Sequence, residues 1–224
     1  MSRISHKHKF IFFAFPKTGS ESIRQILDPY SDIKAVHRSK ITKDNPFYTH
    51  ITPEETKQIF MKKGWNYDEY FKFVFVRNTY SRLFSLYNMK FKNSVRPKFS
   101  DWVLTLHPHS KERGNWFLNG QLAFIDFISE KDANGNITIL VDEVMKLEEI
   151  NNQLAKLLFK INIPQQAIPH INKGNYLNVE NKKKSHLEKQ SKKNILDNYN
   201  EKCLKFISTR YTWELKEYNY TLQK

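Results

Sequence analysis

The sequence predicts an α/β fold, one domain over residues 1–224, with a central, mainly parallel β-sheet flanked by helices. Three observations carry that prediction. Two dominantly apolar runs, FIFFAF at 10–15 and FKFVFV at 71–76, read as strands buried on both faces, the kind found in parallel sheets. Each run ends in a polar loop. Each loop opens a helix, so strands and helices alternate along the chain.

After the first run, Ile23, Ile26 and Leu27 recur at helical spacing. Thr52 is the expected N-cap of a helix with Pro53 at its first position, Glu55 closing a capping box and Gly64 ending it. His50 therefore sits in a loop pinned just before that helix. After the second run, Tyr80, Leu83, Phe84, Tyr87 and Phe91 keep the helical rhythm. A mixed segment over 102–128, the turn NGN at 134–136, the stretch ITILVDEVMKLEEI and a helix through NNQLAKLLFKI follow. The most basic stretch, PHINKGNYLNVENKKKSHLEKQSKK, reads as a solvated loop and helix face. A last helix is expected over 194–208, with the single cysteine, Cys203, as a small core residue.

Lys and Arg outnumber Asp and Glu by 37 to 23, a formal net charge of +14. That excess predicts an anionic partner without choosing among nucleotide, acidic glycan, nucleic acid and membrane surface. One cysteine excludes a disulfide framework or a Cys-rich metal site. No apolar stretch approaches the ~18 residues of a membrane span, and MSRISHKHK lacks a signal peptide's apolar segment. The chain is expected to be soluble and cytoplasmic.

The loop PKTGSES at 16–22 lies between a buried strand and a helix, where backbone N–H groups and the helix dipole make an anion site. Lys17 adds a full charge, Gly19 allows close approach, and Ser20 and Ser22 offer hydroxyls. The Walker A pattern is absent, because the lysine precedes the glycine. In the second loop, RNTYSRLFSLY, Arg77 stands at a strand end, with Ser85 one helical turn after Ser81 and Arg82. A guanidinium that grips two oxygens and a hydroxyl on the next helix form a second anion site. Read singly, Arg77 and Arg82 are ordinary surface ion-pair residues. Together the loops suggest a ligand with two separated anionic groups.

These residues resemble the sulfotransferases that use 3′-phosphoadenosine 5′-phosphosulfate (PAPS). PKTGSES is similar to their 5′-phosphosulfate loop, and RNTYSRLFSLY to their 3′-phosphate element. The resemblance is closest to the carbohydrate and membrane-associated branch, where a His precedes a helix as in YTHITPEE. GQLAFI, VDEVMKLEEI and PHINKGNY are weaker likenesses that extend it over most of the chain. Two positions depart from the pattern. Glu21 stands where a small hydroxyl residue is usual, and Thr79 where proline is common.

The resemblance implies a P-loop nucleotide-kinase-like sulfotransferase fold and transfer of a sulfuryl group from PAPS to an acceptor hydroxyl, a saccharide or glycoconjugate. It implies His50 as base, an imidazole of near-neutral pKa, and Lys17 as the cation opposite the leaving phosphate. Pro16, Lys17, Thr18, Gly19, Ser20, Glu21 and Ser22 would hold the 5′ groups. Arg77 and Ser85 would hold the 3′-phosphate, with Asn172 and Lys173 closing over the nucleotide. Glu148 is a candidate supporting carboxylate or a plain surface acid, and no metal or nucleic acid is called for. Trp102, Trp116 and Phe117 are candidates for stacking on sugar rings or for the core. The competing readings are an inactive PAPS-binding relative, an ATP-dependent kinase using Thr18 at a metal, and an RNA-binding module.

Overall fold

In the computed structural model, which describes residues 1–106, 121–167 and 198–222, the two apolar runs lie side by side in a five-stranded sheet. Its strands are β1 (Arg3–Ser5), β2 (Phe10–Phe13), β3 (Ile33–Lys34), β4 (Phe71–Val76) and β7 (Glu143–Lys146). A separate antiparallel hairpin joins β5 (Ser129–Lys131) to β6 (Ile137–Ile139). The sheet order is β3-β1-β2-β4-β7. β2 runs parallel to β4, and β4 parallel to β7.

The sheet is mixed, not mainly parallel as the sequence suggested. β1 pairs antiparallel with both β2 and β3. Strands of two and three residues are too short to show a period, so this half of the sheet left no pattern to read. The first apolar run is also divided. All six residues are completely buried, yet the strand stops at Phe13. Beyond it the Ala14 N–H donates to Ser2 Oγ at 3.2 Å, and the Ala14 carbonyl accepts from the His50 ring at 2.5 Å.

Side-chain alternation feeds two cores. Ile11, Phe13, Val74 and Val76 face one side, against α2 (Pro53–Lys62) and α5 (Phe124–Ile128). Phe10, Phe12, Phe73, Phe75 and Met145 face the other. There they meet Ile23, Ile26 and Leu27 of α1 (Ser20–Leu27) and Leu154, Leu157 and Leu158 of α6 (Ile150–Lys160). Each buried Phe contributes roughly 2–3 kcal/mol of transfer free energy. A third cluster joins α3 (Thr79–Lys90) and α4 (Phe99–Leu104) to α7 (Glu201–Arg210) and includes Trp102 and Cys203. Trp102 is therefore core and not a sugar platform. A short α8 (Thr212–Glu217) completes the described helices. Among the described residues no helix is long and apolar enough to cross a membrane.

The last long helix starts later than its sequence rhythm implied. Asn200 accepts the Cys203 N–H at 2.9 Å and caps α7, leaving Tyr199 ahead of it. Ile195, Trp116, Phe117, Asn172 and Lys173 fall outside the described residues.

From β2 the chain crosses by α1 to β3 on one side, and from β4 it leaves by α3 toward β7 on the other. Neighbouring parallel strands that depart in opposite directions leave a crevice at their carboxyl ends, where α/β sheets bind ligands. α2 supports that crevice. Its capping box is complete, with Thr52 Oγ1 accepting from the Glu55 N–H at 3.2 Å and Glu55 Oε2 accepting from the Thr52 N–H at 3.1 Å. Thr52→Ala should cost about 1 kcal/mol of stability, read as a lower urea midpoint at unchanged slope. An unchanged midpoint would mean that the box contributes nothing to the fold.

Candidate active site

The two loops that the sequence singled out meet at that crevice. The Arg77 Nη1 donates to the Lys17 carbonyl at 3.3 Å, and its Nε to Ser81 Oγ at 3.0 Å. Ser81 Oγ in turn donates to the Asn78 carbonyl at 3.0 Å. Ser85, half-buried, follows Ser81 by one turn on α3.

Lys17 and Gly19 both take left-handed backbone angles, φ 68° and 71°. That bend turns the chain from strand to helix within a few residues. A side chain at Gly19 would be strained by the angle. It would also come within 2.5 Å of Leu147 Cδ1. Gly19 is the N-cap of α1, and no side chain caps that helix. Its first N–H groups, from Ser20 onward, are the donors a helix start offers to an anion. Pro16 is buried.

The side chains of this loop divide by role. Thr18 is 1% exposed and donates to the Phe15 carbonyl at 2.8 Å, so its hydroxyl braces the loop. Ser20 and Ser22 are half-buried at its mouth. Glu21 is exposed and pairs with Arg24 at 3.1 Å, a cation placed where it neutralises the unusual carboxylate. Lys17 Nζ lies 3.5 Å from Met89 Sδ. Burial lowers its pKa, the Arg77 guanidinium lowers it further, and Glu21 opposes the shift. Two cations therefore stand close enough to repel each other, a field that a polyanion relieves.

His50 reaches the same place from the other side. It holds φ 60° just ahead of Thr52. The neighbouring backbone is fixed, with the Thr49 N–H donating to the Val36 carbonyl at 2.9 Å and Tyr48 Oη to Glu55 Oε1 at 2.5 Å. A carbonyl only accepts, so the His50 Nδ1 carries the proton in its bond to Ala14 and Nε2 carries the lone pair. The imidazole does not keep the near-neutral pKa expected of it. Burial pushes it down to about 3, with the Met1 amine, Lys17 and Arg24 adding to the fall and the Ala14 bond opposing it.

Arg82 is not a surface residue and does not line the anion site. It is 1% exposed, with its guanidinium 4.6 Å from the Phe15 ring centre and 5.6 Å from that of Tyr211. Nearby, Glu214 is buried, accepts the Phe124 N–H at 3.1 Å and is pushed up to about 7 by desolvation. The helical spacing of the buried residues Thr79, Arg82, Leu83 and Leu86 was the available sign of Arg82's inward face. Thr79 itself occupies the first position of α3, after an Asn78 with ψ 118°, a backbone that also accepts proline.

Glu148 is a supporting carboxylate. Its Oε1 accepts the Asn78 N–H at 2.8 Å and its Oε2 the Tyr220 hydroxyl at 3.1 Å. The roles of Leu147 and Tyr220 left no trace in sequence, because each depends on a contact between distant segments, whereas Ser81 and Arg24 act on residues within one helical turn. Apart from half-buried Phe71, the aromatic residues of both strand runs are buried away from any nucleic acid. Among the described residues no cluster of His, Cys, Asp and Glu has metal-ligand geometry.

Residues 1–221 match the model of the sulfotransferase family. No curated protein and no solved structure matches the chain.

A neutral imidazole in the fold that takes a proton once unfolded makes stability fall with acid. The contribution is intact above the ordinary imidazole value of about 6.5 and is lost as pH drops toward the folded value of about 3. Urea midpoints taken from about pH 7 to about pH 4 should fall more steeply for the native chain than for His50→Asn. Asn does not titrate and tolerates the positive φ. Parallel falls would remove the buried neutral imidazole from the description.

Proposed function

The chain belongs to the sulfotransferase family, and from that premise we propose that it moves a sulfuryl group from PAPS to a hydroxyl of an acceptor, a saccharide or glycoconjugate. The observation that carries the reading is the Arg77 bond to the Lys17 carbonyl, which sets two strand-end cation sites side by side. Two sites joined in this way suit a nucleotide with separate 5′ and 3′ anionic groups better than they suit a single phosphate.

The residues present fit such a donor. The uncapped start of α1 offers N–H groups from Thr18 to Ser22 to the 5′ groups. Arg77 and Ser85 would take the 3′-phosphate, which aligns the nucleotide away from the bond that breaks. PAPS would supply an activated sulfuryl group on a phosphate leaving group. Lys17, half-buried and little screened, would face the charge that gathers on that leaving oxygen.

His50 would take the proton of the acceptor hydroxyl at Nε2, its tautomer fixed by the Ala14 carbonyl. Its depressed pKa leaves it neutral at pH 7, hence open to a proton. A bound anion would offset Lys17 and Arg24 and raise its basicity when the donor is in place. Glu21, tied to Arg24, leaves the loop accessible to phosphosulfate.

Calorimetry of the desulfated product, PAP, beside AMP and ATP–Mg²⁺ tests the reading. PAP should bind best, and Arg77→Ala should weaken it by about ten- to hundredfold, with little change for AMP. Preference for ATP–Mg²⁺ would favour phosphoryl transfer, and absence of nucleotide binding an inactive relative. In an acceptor screen His50→Asn should keep PAP affinity while kcat falls by about 10²–10⁴-fold. A kcat within a few-fold of the native value would end the assignment of His50 as base.

A further inference from the structure

Arg77 meets its partners through a turn, and that turn is held from outside the anion site. Asn78 is 4% exposed and uses four polar groups at once. Its N–H donates to Glu148 Oε1 at 2.8 Å, and its Nδ2 to the Thr221 carbonyl at 2.8 Å. Its Oδ1 accepts the Tyr80 N–H at 3.1 Å as the N-cap of α3. Its carbonyl accepts Ser81 Oγ at 3.0 Å and the Arg82 N–H at 2.8 Å.

The same segment is reached a second time through Glu148, whose Oε2 accepts from Tyr220 Oη at 3.1 Å. Residues 218–222 are seated independently of the site. The Tyr220 N–H bonds the Leu215 carbonyl at 2.9 Å, and Tyr218 packs on Trp213 and Phe124 at 5.8 and 6.0 Å between ring centres. Leu147, beside Glu148, is the residue that fills the space over Gly19. The end of β7 thus touches the first loop by Leu147 and the second by Glu148.

We propose that Asn78 and Tyr220 are positioning residues, closing with Glu148 and Thr221 into a clasp by which segment 218–222 orients Arg77 toward the 3′-phosphate. This rests on the PAPS reading above. The path is continuous, from Tyr220 through Glu148 to the Asn78 N–H. It then runs from the Asn78 carbonyl through Ser81 Oγ to the Arg77 guanidinium. Because the clasp acts on Arg77, loosening it weakens contacts to the 3′-phosphate and spares those to the 5′ groups. A brace for general stability would affect both alike.

Tyr220→Phe removes only the hydroxyl and keeps the ring on Tyr218. Two readouts are taken on the full chain, with circular dichroism confirming the fold. Calorimetry should show PAP affinity reduced by about fivefold and AMP affinity unchanged, the loss of about one hydrogen bond's worth of restraint. Amide exchange by NMR without nucleotide should show the Asn78 N–H less protected than in the native chain. Equal losses for PAP and AMP, or no loss, would overturn the proposal, as would unchanged protection at Asn78. Failure of the native chain to prefer PAP over AMP would instead overturn the PAPS reading, and the exchange measurement would still decide whether Tyr220 holds the turn.

Discussion

The pairing of β2 with β4 is the constraint from which the rest of the molecule follows. Phe12 lies opposite Phe73 in a parallel register, their rings stacked at 5.4 Å between centres, and both are wholly excluded from water. A parallel pair buried on both faces must be covered by helices on both sides. It must also be connected by crossovers, since parallel strands cannot be joined by a tight turn. Those crossovers bring the ends of two apolar strands together with two polar loops behind them. Burial of phenylalanine thus decides where Lys17 and Arg77 stand.

Charge is arranged against the grain of folding at this place. Lys17 and Arg77 repel each other, and Lys17 and His50 lie in a partly dry setting where the charged form is disfavoured. The fold meets that cost elsewhere, through the aromatic packing of three clusters. Local strain is stored here too, since Lys17 and His50 both hold positive φ, conformations that persist where the surroundings over-determine them. For His50 those surroundings are the Ala14 carbonyl, the Val36–Thr49 bond and the capping box of α2.

Strands β2 and β4, the capping box and the polar loops were legible in the sequence because each is a local pattern of burial period or cap chemistry. The antiparallel half of the sheet was not, since Arg3–Ser5 and Ile33–Lys34 gain their geometry from pairing and not from any repeat of their own. Residue type foretold the cations of the site but not their surroundings. Arg82 looked like a surface ion-pair residue and is a buried brace under Phe15. His50 looked like an ordinary imidazole, and only its neighbours make it a reluctant one. Glu21 stood out as a departure from the family pattern, and Arg24, three residues on, balances it.

The bond from Asn78 to Thr221 spans 143 positions of sequence, and that from Glu148 to Tyr220 spans 72. Contacts that distant form after the local ones, because a long loop must close before they yield anything. During synthesis the sheet and both anion loops can take shape while segment 218–222 is still inside the ribosome. The turn that carries Arg77 is completed only when that segment emerges. A nascent chain therefore acquires its scaffold before the turn between the second strand run and its helix is closed by the Asn78–Thr221 and Glu148–Tyr220 bonds.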